Sequence, residues 1–151
     1  MTFHNFLDRT KAVAIEERTI LDTLYRYFKQ NETLDEMQTR AAVRSLQIMI
    51  ENLIGRCKKV LQHYNSPIIP PSGYDSAEIL KNVGFYEDEE FVQIRRFFGF
   101  RNAIVHDYMD LDRKVVLNIV GNQDYLLLES FLVRPFQENS VIRKRIENYA
   151  F

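Results

Sequence analysis

Apolar residues recur along this chain at steps of three and four, the period of a helix face, and nowhere alternate as a half-buried strand would. The first such stretch predicts a helix from about Leu7 to Phe28, with Val13, Ile20, Leu21, Leu24, Tyr27 and Phe28 marking its apolar face. Gln30-Asn31 ends it, and Thr33-Leu34-Asp35-Glu36 has the form of a capping box, in which a hydroxyl and a carboxylate satisfy free amides at a helix start. The second helix carries Ala42, Leu46, Met49, Leu53, Cys57, Val60 and Tyr64, widened by Val43, Ile50, Ile54 and Leu61. A stripe that broad suits a helix buried between several neighbours, and Gly55 within it permits close helix contact.

Residues 65–73 hold three prolines, which lack amide donors and restrict the residues before them, so an ordered loop is expected there. Asp75-Ser76-Ala77-Glu78 opens a short third helix that Gly84 stops. The carboxylates Glu87-Asp88-Glu89-Glu90 favour the start of a fourth. A fifth begins near Asp110 or Asp112 and carries Val115, Val116, Ile119 and Val120; Gly121-Asn122 breaks it, and Tyr125 to Leu132 forms a further apolar helix. Pro135 marks the end of the bundle. The expected organisation is one all-α domain of about five helices over 1–135, followed by a polar extension at 136–151 whose Arg143-Lys144-Arg145 lies on a solvated terminal helix.

The fourth helix carries the chemistry. Laid out at roughly 100° per residue from Phe91 to Tyr108, it gathers Phe91, Ile94, Phe97, Phe98, Ile104, Val105 and Tyr108 on one broad face, with Arg101 in the middle. A guanidinium is charged at any accessible pH, so this position costs several kcal/mol unless an anion or several acceptors meet it. A phosphate or a carboxylate on a neighbouring helix would serve. Arg95, Asn102 and His106 form a polar row on the flank of the same helix. An Arg to neutralise a phosphate, an Asn to orient by hydrogen bonds and a His, a residue type that titrates near neutrality, are the groups that metal-free phosphodiester cleavage requires. Read as structure instead, the His is solvated and the Arg pairs with a carboxylate.

Composition narrows the remaining choices. The 151 residues carry a net charge of −1, which argues against a protein that coats nucleic acid by bulk electrostatics, so any RNA contact is local. Cys57 is the only cysteine, which leaves no intramolecular disulfide and no cysteine-based metal cluster, and a reducing cytoplasm is the natural home. The first residues lack a secretory pattern, and no apolar run approaches the roughly 20 residues that span a bilayer. No glycine-rich phosphate loop, His-Glu-x-x-His or serine-centred elbow is present, and no metal or cofactor is expected.

Arg101-Asn102-Ala103-Ile104-Val105-His106-Asp107-Tyr108 resembles the R-x4-H-x-Y signature of the HepT-like branch of HEPN domains, as do Phe100, Leu111-Asp112 and the upstream run from Arg44 to Glu51. The likeness covers most of residues 9 to 133. It implies a toxin that is a metal-independent endoribonuclease, acting as a homodimer that brings two such motifs into one cleft. In it Arg101 would hold the scissile phosphate, His106 would serve as general base or acid, and Asn102 would orient the reacting groups; Arg95 is placed to add RNA affinity. The resemblance also implies an antitoxin, a minimal nucleotidyltransferase that transfers AMP to the motif tyrosine, here Tyr108. On a continued helix Tyr108 lies seven residues beyond Arg101 and so nearly above it, an arrangement that would bring an added phosphate to that guanidinium. The alternative is a HEPN subunit that binds nucleotides or serves as a scaffold for a nucleotidyltransferase without cutting RNA.

Overall fold

A computed structural model describes residues 2–150, which form seven α-helices and no strand. The helices are α1 (Phe3–Asn31), α2 (Glu36–His63), α3 (Gly73–Asn82), α4 (Asp88–His106), α5 (Arg113–Gly121), α6 (Tyr125–Val133) and α7 (Ser140–Glu147), with a 3-10 turn at Tyr108–Asp110. The all-α expectation holds, but the count rises from about five to seven. The break expected at Gly121-Asn122 falls at 122–124, where Gln123 takes a positive φ of 54°, so that α6 and the terminal α7 stand as helices in their own right beside the first five. Among the described residues no helix is long and apolar enough to cross a membrane.

The first helix exceeds its expected bounds at both ends because each end is capped. Thr2 Oγ1 accepts from the Asn5 amide, and Glu32, in the left-handed region at φ 59°, donates its amide to the Phe28 carbonyl. Its buried stripe is Thr10, Ala14, Glu17, Leu21 and Leu24, a strict alternation of four and three. Leu21 and Leu24 were expected there, whereas Ile20 and Tyr27 are exposed. The box that opens α2 also sits further along than Thr33–Glu36. Leu34 is drawn into the core, and Asp35 then becomes the cap: its carboxylate accepts from the Gln38 amide at 2.7 Å while Gln38 Oε1 accepts from the Asp35 amide at 2.9 Å.

The second helix is the axis of the fold and packs against α1, α3, α4, α5 and α6. Leu46, Met49, Ile50, Leu53, Cys57, Val60 and Leu61 along it are inaccessible to solvent. Arg56 is buried with them. Its guanidinium donates to the carbonyls of Leu132 at 3.0 Å and Arg134 at 2.9 Å and so ties the C-terminal end of α6 to α2. Charge-assisted bonds of this kind contribute about 2 kcal/mol each.

The segment from 136 onward is polar on its outer side and apolar within. Asn139 caps α7, Ile142 and Ile146 are buried, and Arg143 and Arg145 donate to the carbonyls of His63 and Val83. The three cations of the basic run are thus divided: Arg143 and Arg145 hold α7 to the bundle, and Lys144 is exposed.

Burial pushes the Cys57 thiol up to about 12, so it is protonated in the folded chain at neutral pH. A thiol-specific reagent should therefore leave the native protein unlabelled over hours and modify it fully in denaturant, with labelling at intermediate denaturant tracking loss of the helical circular-dichroism signal. Prompt labelling of native protein would place Cys57 outside the core.

Candidate functional site

The fourth helix starts with Glu90 Oε1 accepting from the Glu87 amide at 3.0 Å and Glu90 paired with Arg134. Burial raises the Glu90 carboxyl, but the hydrogen bonds from Arg134 and the Glu87 amide outweigh that and leave it below its ordinary range. Phe91, Ile94, Phe97, Phe98, Phe100 and Ile104 are buried along the helix. Val105 and Tyr108, expected on the same face, are each 46% exposed.

Arg101 stands at the margin of that face, where α4 meets α2 and α3. The anion that meets it is Glu51 of α2, with Oε1 3.6 Å from Nε, and Nη1 donates to Asn102 Oδ1 at 3.3 Å. The Nε position is buried and has no hydrogen-bond partner among the described residues, because 3.6 Å to Glu51 is too long for one. The guanidinium is therefore held in place and incompletely satisfied.

Glu51, Ile54 and Lys58 fall on one face of α2 at i, i+3 and i+7 and run alongside the arginine. Together with residues 71–74, Phe98, Arg101 and Asn102, Ile54 and Lys58 line a hollow of about 270 Å³. Lys58 Nζ donates to the Pro71 carbonyl at one edge, and Ser72 caps α3 at the other. Gly73 is required here. A Cβ on it would sit 2.8 Å from Ile54 Cγ1, so only glycine lets α3 begin against α2 and close the hollow's floor. Two cations, an amide and a hydroxyl border this space, and such groups are donors to phosphate or carboxylate oxygens. Lys58 escaped the sequence reading and Glu51 entered it only as the end of the run that resembles the family, although their spacing on α2 placed both on one side of that helix.

The remaining motif residues lie apart. His106 is the last residue of α4, exposed, and its ring has no hydrogen bond among the described residues. Five residues from Arg101 it points about 140° away around the helix, so one chain does not bring the two together. Instead it ends an outer stripe of Val92, Arg96, Gly99, Ala103 and His106, spaced four and three, beside the exposed Arg95 and Asn102. At Gly99 a Cβ would meet nothing within 4 Å, so no packing inside the chain calls for glycine there.

Nor does the helix continue to Tyr108. Asp107 leaves helical geometry at φ −134°, and the 3-10 turn follows. Asp107, Asp110 and Asp112 explain the break: carboxylates are disfavoured at a helix C-terminus, and here Asp112 is used to cap α5 by accepting from the Lys114 amide. Tyr108 consequently lines a different hollow, with Arg40, Val43, Leu111, Arg113 and Val116, rather than standing above Arg101. Among the described residues no group of three or more His, Cys, Asp or Glu side chains is arranged to hold a metal ion.

Three solved structures share this architecture. A tri-AMPylated Shewanella oneidensis HEPN toxin in complex with an MNT antitoxin has a TM-score of 0.74 at 20% identity, over 87% of this chain and 96% of that one. A toxin–antitoxin crystal structure with AMP-PNP gives 0.75 at 20% identity, over 94% and 99%, and a mutant MntA–HpeT toxin–antitoxin gives 0.70 at 21%, over 85% and 95%. At such identities the likeness shows the fold. No curated protein matches the chain. The family model described as ribonuclease HepT-like, however, matches residues 11–134, most of the sequence and all of α2 to α6. The chain belongs to the ribonuclease HepT-like family of HEPN proteins.

Proposed function

We propose that this chain is the toxin of a HEPN/MNT toxin–antitoxin pair, a homodimeric endoribonuclease that works without a metal ion and is silenced by AMPylation of Tyr108. The observation that carries the reading is Arg101: a permanent cation fixed by Glu51, with an unbonded Nε, at the mouth of a hollow that also presents Lys58 and Asn102. An RNA phosphate entering there gains the donors that Glu51 holds in readiness. His106 accepts the proton of the ribose 2′-OH as that oxygen attacks the adjacent phosphorus, or gives a proton to the departing 5′-oxygen as the P–O5′ bond breaks. The products are a 2′,3′-cyclic phosphate and a free 5′-hydroxyl. Arg95, in solvent on the same helix, adds affinity for the RNA backbone rather than chemistry.

Dimerisation on the opposite face of α4 would pair the two histidines, while each Arg101, roughly 180° around the helix from that face, holds RNA at its own hollow. A second copy packed on the stripe of Val92, Gly99 and Ala103 covers the outer face of α4, buries exposed Val92 and sets the two His106 residues beside a shared groove. Gly99 costs a helix about 1 kcal/mol relative to alanine, and close approach of another chain is the use that offsets this cost.

Purified protein should cleave RNA in excess EDTA and leave 2′,3′-cyclic phosphate ends. Arg101→Ala and His106→Ala should each lower the rate at least about a hundredfold with unchanged helical signal, and neither should arrest growth when expressed without the antitoxin. Folded variants that cut RNA at the wild-type rate would make Arg101 and His106 structural and put the site elsewhere, whereas a wild-type chain that cuts no RNA would be a non-catalytic HEPN subunit.

The Gly99 reading separates packing within a chain from packing between chains. Gly99→Ala should raise the thermal midpoint of dilute, monomeric protein by a few degrees, as expected for about 1 kcal/mol, while Gly99→Glu should yield monomer by light scattering at concentrations where wild type is dimeric. A dimer undisturbed by Gly99→Glu would move the interface off this stripe.

A further inference from the structure

The turn after α4 places Tyr108 at the edge of a hollow of about 360 Å³ between the first turns of α2 and α5. The hollow has a distinct composition. Val43 and Val116, which are 5% and 0% exposed, form an apolar floor with Leu111 beside them, and Arg40 and Arg113 stand at the rim. Arg113 spends Nη2 on the Leu34 carbonyl at 2.7 Å, a bond that anchors its head and leaves its other N–H groups unbonded. Arg40 pairs only with Glu36, one turn earlier, on an exposed surface where such a pair contributes little. Thr39 donates its hydroxyl to the Asp35 carbonyl, and Met109, 94% exposed, stands free above the opening.

We propose that this hollow is the seat of the adenylyl group that Tyr108 carries, with Arg40 and Arg113 on its phosphate and Val43, Val116 and Leu111 against its base. This rests on the reading of Tyr108 as the AMP acceptor. In that reaction the Tyr108 oxygen attacks the α-phosphorus of ATP bound to the nucleotidyltransferase. The new O–P bond forms, the bond from the α-phosphorus to the oxygen bridging it to the β-phosphate breaks, pyrophosphate leaves, and the phenol proton passes to solvent. The product is a phosphodiester with one negative charge, joined to a planar, largely apolar base. Two guanidiniums against the single Glu36 carboxylate give the rim a net positive charge, and a floor of branched aliphatic side chains suits the face of a purine. The size falls in the range of small-ligand pockets. The Arg101 hollow fits less well, because Tyr108 does not line it.

Seating the nucleotide has a consequence for activity. It fixes the 3-10 turn, which begins two residues after His106, from a hollow separate from that of Arg101. The modification then acts through the turn that follows the histidine rather than as a competitor for the arginine.

The test uses the intact chain with methyl-labelled valine, incubated with the partner nucleotidyltransferase, ATP and Mg²⁺ and checked by intact mass and peptide mapping. Modified wild type should show nuclear Overhauser effects from the adenine H2 or H8 protons to the Val43 and Val116 methyls. Phosphodiesterase should release AMP from modified Arg40→Gln protein about tenfold faster than from modified wild type, with Arg26→Gln, an exposed position on α1, matching wild type. Modification at Tyr108 with no contact to either valine overturns the hollow and leaves the acceptor reading standing. A wild-type chain that gains no AMP, or gains it elsewhere, overturns both.

Discussion

The apolar surface of α2 is wider than any one neighbour covers, and the rest of the fold follows from burying it. Leu46, Met49, Leu53, Cys57 and Val60 cannot be shielded by a single antiparallel partner, so α1, α3, α4, α5 and α6 all pack against this helix. That arrangement sets the place of α4. Its aromatic residues Phe91, Phe97, Phe98 and Phe100 are buried, and any polar residue at the edge of the face must find its partner on α2 or α3. Glu51 and Lys58 lie on the required side.

Two arginines show how burial and function separate. Arg56 is almost wholly enclosed and two of its nitrogens are bonded to carbonyls at the end of α6; it fastens secondary structure and has no access to a substrate. Arg101 is partly exposed, paired with a carboxylate at a distance too long for a hydrogen bond, and borders a hollow. A displaceable anion on an accessible guanidinium is what a phosphate site needs before substrate arrives. Glu51 holds the side chain at the rim of the hollow and is itself exposed enough to be resolvated if a phosphate were to replace it, as the proposed function requires.

The sequence made the helices legible wherever an apolar stripe was long, as in α2 and α4, because 3.6-residue periodicity accumulates over many turns. It was less informative where one or two residues decide. Thr33 and Asp35 both suit a cap, and only the burial of Leu34 selects Asp35. The apolar pattern ran on through Val105 and Tyr108, yet three aspartates turned the chain after His106. Arg56 looked like any polar residue on α2, since its acceptors lie 76 and 78 residues away on the far side of the bundle. Glu51 and Lys58 belong to the same class: local spacing gives their face, but only the packing of α4 and α3 on that face gives them a role.

The break after His106 bears on how a covalent switch on this scaffold would operate. Had α4 continued, Tyr108 would stand one pair of turns above Arg101, and any group added to it would compete directly for the substrate's phosphate site. The 3-10 turn instead directs the tyrosine to the α2–α5 side, while Arg101 faces the α2–α3 side. Both hollows border α2, but only the Arg101 hollow is lined from α4, and His106 ends that helix two residues before the turn that carries Tyr108. A group anchored in the Tyr108 hollow would therefore act on the turn that follows His106 without displacing Arg101. Under the proposed roles of these residues, RNA affinity would persist while turnover stopped, whereas competition for Arg101 would abolish both together.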